Sequence, residues 1–184
     1  AYIQNFMQKW VQENPKQNGQ KYDIYRDGLK IYTTIDSRLQ EIAEKAVNSH
    51  MSNLQEEFFR QNTSDLNPTA PFLDLREGQI DTLINLSAKR SERWRVMKLK
   101  GKSEQEIEES FKNPTPMTVF DWKGERDTIM SPLDSIKYYK HFLRASMMSM
   151  EPSTGHVKVW VGGFNYKHFQ YDQVKQGRRQ IGST

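Results

Sequence analysis

The chain has 184 residues, of which 35% are hydrophobic, 27% are charged and none is cysteine, with a formal net charge of +4. That length suits one ordinary domain, or a small module with part of a second. The composition excludes disulfide stapling and thiolate metal sites, is too mixed in charge for wholesale disorder, and holds no apolar run near the ~18–20 residues a membrane helix needs.

The opening AYIQNF lacks the basic segment and apolar stretch of a signal peptide, so any address or anchor is expected outside this sequence. Within residues 1–13, Ile3, Phe6, Met7 and Trp10 fall at helical spacing, and Asn14-Pro15 ends the pattern. A polar loop from Lys16 and a turn signal at Asp27-Gly28 lead into Leu29, Ile31, Thr33 and Ile35, whose period of two predicts a half-buried strand. Asp36 or Ser37 then caps a helix, with Gln40 completing a capping box after Ser37. Its apolar stripe of Leu39, Ile42, Ala43, Ala46, Val47, Met51, Leu54 and Phe58 carries the helix to about Phe59 and reads as packing. His50, beside the stripe, reads as structural or exposed.

Two prolines and two asparagines make residues 62–78 a loop. The spacing predicts one helix from Gln79 to Leu99 with Ile80, Leu83, Ile84, Ser87, Trp94 and Met97 inward, and the charge run from Lys89 to Lys102 reads as a solvated face. Gly101 ends that helix. Ser103 with Glu106 is a second capping box, opening a helix to Lys112 that carries Ile107 and Phe111. A hairpin follows, Met117 to Trp122 and Arg126 to Met130 about Lys123-Gly124. Ser131-Pro132 starts a helix from Leu133 to Phe142 with Ile136, Tyr139 and Leu143 inward. Strands at Ala145–Met150 and His156–Val161 are joined by the turn Glu151–Gly155, with Val157, Val159 and Val161 on one face and Lys158 and Trp160 on the other. Gly162-Gly163 lets the chain leave sharply. The class is α+β, helices predominating. The positive excess collects at the end: His156–Thr184 holds five Lys or Arg against one Asp, too sparse for a nucleic-acid-reading motif.

Two blocks carry a family resemblance. GLKIYTTIDSRLQEIAEKAV, residues 28–47, is similar to the strand and helix that follow the glycosyltransferase domain of class A penicillin-binding proteins, the bifunctional peptidoglycan synthases. MEPSTGHVKVWVGGFNYKHFQYDQVKQGRRQIGST, residues 150–184, resembles the first hairpin of their transpeptidase domain and the approach to its serine. Together the blocks cover about a third of the chain, in the family's order. The resemblance divides the sequence into a post-glycosyltransferase linker (1–61), a variable, mostly helical insertion with a hairpin (62–130) and the N-terminal part of a penicillin-binding transpeptidase domain (131–184). Residues 52–130 carry no motif of their own and read as spacer.

The resemblance implies that Ser183 stands at the nucleophile position. In that family the serine opens a helix as Ser-x-x-Lys, and the partner lysine would fall beyond Thr184, so the segment alone is expected to be inactive. A serine hydroxyl needs an adjacent base, which that lysine supplies, while the Ser183 N–H at a helix N-terminus helps to hold the oxyanion. Arg178 and Arg179 read as a solvated pair, and Gly182 keeps the space before the serine open. The implied partners are peptidoglycan stem peptides ending in D-Ala-D-Ala and β-lactams, with cell-wall machinery proteins as further candidates; no cofactor, metal or nucleic acid is implied. The implied location is the extracytoplasmic face of a bacterial membrane, with the anchor outside this sequence. Two alternatives stand beside this reading: a non-catalytic pedestal or interaction module, and part of a monofunctional penicillin-binding protein or serine β-lactamase.

Overall fold

The computed structural model describes residues 2–178. The chain divides into two units, Ala1–Thr34 and Ile35–Thr184. Among the described residues there are seven helices and two small antiparallel hairpins, an α+β arrangement.

In the first unit, α1 (Tyr2–Glu13) buries Met7 and Val11, one turn apart, and leaves Ile3 and Phe6 of the predicted stripe exposed. The following loop folds back so that the Trp10 and Tyr22 rings lie 5.7 Å apart, and an ion pair of 2.6 Å joins Lys16 to Asp27. Asp23 sets the turn after it, its carboxylate accepting the N–H of Tyr25 at 2.9 Å.

The strand expected at Leu29–Ile35 does not form. A strand needs a ladder to satisfy its N–H and C=O groups, and none of the described strands pairs with this stretch. Ile31 and Tyr32 are 45% and 88% exposed.

The second unit begins with α2 (Ser37–Gln61). Its N-cap is Asp36, whose carboxylate accepts the N–H groups of Arg38 and Leu39 at 3.0 and 3.4 Å; an anion there is favoured by the helix dipole. The capping box expected at Ser37 and Gln40 is therefore replaced, and the Gln40 side chain is spent elsewhere. Only one edge of the predicted stripe is inward: Ala43 and Met51 are buried and Val47 half-buried, whereas Leu39, Ile42 and Leu54 are exposed. The buried line continues to Gln55, a polar residue 1% exposed.

The expected helix over Gln79–Leu99 is two helices, α3 (Glu77–Lys89) and α4 (Glu92–Leu99). Ser91 breaks it: its hydroxyl accepts the Trp94 N–H at 3.3 Å and restarts the helix as an N-cap, a conformation that competes with continuing the turn. α5 (Glu104–Lys112) opens on the expected capping box at Ser103 and Glu106. Ala88, Trp94, Ile107 and Phe111 form one core cluster, with Met97, Leu133 and Ile136 against it.

Glu106 is held down from 4.5 to about 2, first by the Lys102 ammonium and then by the Ser103 N–H and hydroxyl. A depressed carboxyl contributes stability above its ordinary pKa and loses it as pH falls through the folded value. Helicity followed by circular dichroism from pH 5 to 2 is thus expected to fall partly in that window, and Glu106→Gln to flatten this component. Ser103→Ala is expected to cost about 1 kcal/mol at neutral pH. An unaltered acid profile in Glu106→Gln would refute the assignment.

The first hairpin pairs β1 (Thr115–Val119) with β2 (Arg126–Met130). Ser131 then caps α6 (Pro132–Lys140), its hydroxyl accepting the Asp134 N–H at 3.1 Å. The second hairpin pairs β3 (Met147–Met150) with β4 (Val157–Val161), with a bulge between Ser149 and Met150. The last described helix is α7 (Gln173–Gln176).

Candidate functional site

The segment expected to lead to the nucleophile starts at the second hairpin. Gly155 closes its turn at φ 72°, a value that suits glycine, and donates its N–H to the Glu151 carbonyl at 2.8 Å. The Glu151 carboxyl lies below the usual range because the Thr154 hydroxyl donates to it, with the Lys158 charge adding to the effect.

β3 covers one edge of β4, and α2 covers the other without a strand. The Asp36 N–H donates to the Lys158 carbonyl at 3.0 Å. The Gln40 amide takes both backbone polar groups of Trp160: its oxygen accepts the Trp160 backbone N–H at 2.8 Å and its nitrogen donates to the Trp160 carbonyl at 3.0 Å. One side-chain amide thus replaces the two bonds a neighbouring strand would make, and so blunts the edge. Beneath it, Val159 and Val161 pack on Ala43 and Val47, the valine face that the period of two predicted.

Beyond β4 the chain is fixed by Asp172. This carboxylate accepts the Trp160 indole N–H at 3.1 Å and caps α7 through the N–H groups of Val174 and Lys175, at 3.0 and 3.2 Å. Gly162 is required for that approach, because a Cβ there would lie 2.6 Å from Asp172 Oδ1. The Gln173 N–H donates to the Gly162 carbonyl at 2.8 Å and ties α7 to the end of β4.

Ser183, the expected nucleophile position, lies outside the described residues, as do Arg179 and Gly182. Arg178 is described and exposed, and so is His50. Among the described residues no group of three or more His, Asp or Glu side chains could hold a metal ion.

An aromatic cluster was not anticipated from the sequence. Phe120, Phe142 and Phe169 are its buried members, with Trp122, Tyr138, Tyr139 and Phe164 against them. The pairs FDW at 120–122 and YYKHF at 138–142 were its visible signal, since such aromatic density so close to turns exceeds what one helix face needs.

Residues 67–143 match the family described as penicillin-binding protein middle domain. The match covers α3 to α6 with the first hairpin, lies largely in the stretch where no motif was recognised, and supports a penicillin-binding protein family for the chain. No curated protein and no solved structure matches it.

Proposed function

We propose that this chain is part of a class A penicillin-binding protein, a cell-wall synthase that crosslinks peptidoglycan stem peptides through an acyl-serine intermediate on Ser183. The observation that carries the reading is the packing of α2 on β4. The two blocks of family resemblance are far apart in sequence, yet the first supplies Asp36, Gln40, Ala43 and Val47 and the second supplies Lys158, Trp160, Val159 and Val161 of one small core. The middle-domain match falls between them. Chance similarity of two short motifs gives no reason for the motifs to fold together.

In this mechanism a lysine three residues after Ser183 takes the hydroxyl proton as the oxygen attacks the carbonyl of the penultimate D-Ala. The tetrahedral oxyanion is held by backbone N–H groups, the Ser183 N–H among them, and the terminal D-Ala leaves with a proton. An amine of a second stem peptide then attacks the acyl-serine, forming the crosslink and freeing the hydroxyl. β-Lactams acylate the same oxygen. This chemistry belongs on the extracytoplasmic face, where peptidoglycan lies. Among the described residues no helix is long and apolar enough to cross a membrane.

The test is the reading frame together with one substitution. A lysine codon three positions after Ser183 is expected, and the full-length Ser183→Ala protein should lose all labelling by fluorescent penicillin. Another residue at that position, or labelling that survives the substitution, would overturn the proposal. A pedestal role for the middle segment is compatible with it, since α3 to α6 carry a core of their own in Ala88, Trp94, Ile107 and Phe111.

A further inference from the structure

The segment that leaves β4 after Gly162-Gly163 lies beyond the matched residues 67–143, yet its partners are inside them. Two adjacent tyrosines of α6 grip the backbone of Phe120, the residue after β1. The Phe120 N–H donates to the Tyr139 hydroxyl oxygen at 3.1 Å, and the Tyr138 hydroxyl donates to the Phe120 carbonyl at 2.5 Å. Tyr139 then meets His168, its hydroxyl 2.9 Å from Nδ1 and its ring stacked on the imidazole at 6.1 Å and 21°. The other ring nitrogen, Nε2, lies 2.8 Å from Oε1 of Glu125, in the turn between β1 and β2. Lys167 places its ammonium 2.8 Å from Oε2 of the same carboxylate.

The network assigns the protons. The Glu125 carboxylate can only accept, so Nε2 carries a proton and donates to it. In the neutral imidazole Nδ1 then accepts the Tyr139 hydroxyl proton, while the Tyr139 oxygen accepts the Phe120 N–H. Lys167 first, and His168 second, hold the Glu125 carboxyl below its usual range, so the acceptor is an anion. The His168 side chain is 9% exposed, which shields its bond to Tyr139 from competing water, while the Glu125 end of the network is 39% exposed.

We infer that His168 is a positioning residue: the Phe120–Tyr139–His168–Glu125 relay is a latch by which the middle domain fixes the path of residues 164–172. Packing of Phe164 and Phe169 on Phe120 favours burial without specifying direction, at centroid distances of 5.4 and 5.2 Å. The exit at Gly162-Gly163 is conformationally permissive, and directional bonds are what select one path from it. Downstream, Asp172 transmits that path to α7 and the approach to Ser183. The last step rests on the proposed function, and the latch itself does not.

The experiment uses two substitutions that spare the buried rings, Tyr139→Phe and Glu125→Ala. In the chain itself, nitrogen NMR of the His168 ring at pH 8 is expected to show the Nε2–H tautomer, and each substitution to shift it toward a mixture. Amide exchange across residues 164–171 should accelerate roughly five- to tenfold, the size of one lost hydrogen bond, with α5 unchanged. An unshifted tautomer, unaltered exchange, or equal acceleration in α5 overturns the latch. In the full-length protein both substitutions should slow acylation by fluorescent penicillin by a similar factor. Wild-type acylation rates with a loosened segment would overturn the positioning role; an unlabelled wild type would instead overturn the proposed nucleophile and leave the latch standing.

Discussion

Replacing Phe120 with alanine is expected to destabilise the second unit by about 3–5 kcal/mol, near the upper end for a single core substitution. Phe120 is buried and stands within 5.2–5.4 Å, ring to ring, of Trp122, Phe142, Phe164 and Phe169. These rings come from the first hairpin, the end of α6 and the segment after β4, so removing one side chain opens a cavity at the junction of three elements. Edge-to-face pairs such as Phe120 with Phe142, at 74°, each add about 0.5–1.5 kcal/mol beyond burial. Phe120→Leu keeps much of the volume and should lose less than half as much. Urea unfolding read by tryptophan fluorescence measures both, and a Phe120→Ala cost under about 1 kcal/mol would show that the cluster repacks freely.

Gln55→Leu is expected to cost about 2–4 kcal/mol although it places a more apolar residue in a buried site. The Gln55 amide donates to the His141 carbonyl at 2.9 Å and accepts the Leu143 N–H at 2.8 Å, closing the chain as it leaves α6. Leucine leaves both backbone groups without a partner, each worth about 1–3 kcal/mol, and its better burial offsets only part of that. Gln55→Glu tests the geometry with pH. A neutral carboxylic acid can donate to His141 and accept from Leu143 as the amide does, whereas the carboxylate can only accept. Burial raises the folded pKa of that acid above its unfolded value of about 4.3, so the variant's stability is present below that value and lost as pH rises through the folded one. A Gln55→Glu variant equally stable at pH 4.5 and pH 8, relative to the parent sequence, would contradict the clamp.

These two sites show what periodicity can and cannot reveal. The capping box at Ser103, the proline-started α6 and the valine face of β4 were legible because their signals are local, a cap or an alternation fixed by residues a few positions apart. Gln40 and Gln55 were not. Glutamine on a helix is ordinarily solvent-facing, and only the tertiary position of β4 and of the turn after α6 gives these two amides a backbone to bond. The break at Ser91 lost to the helical spacing on both sides of it, although serine before glutamate is a cap signal. The Leu29–Ile35 alternation has the period of a strand, but a pattern does not supply the partner that makes it one. The aromatic relay joins residues 120, 125, 139 and 168, a long-range constellation without local spacing.

The two short blocks that resemble penicillin-binding proteins flank the segment that matches their middle-domain family. The resemblance and the match do not depend on each other. Together with the packing of α2 on β4, they motivate the proposal of an acyl-serine enzyme. Its most direct test is peptide mass spectrometry of the full-length protein after labelling with fluorescent penicillin. A single acyl adduct is expected on the peptide that contains Ser183, absent from Ser183→Ala; an adduct on a different serine, with Ser183 unmodified, would overturn the proposal.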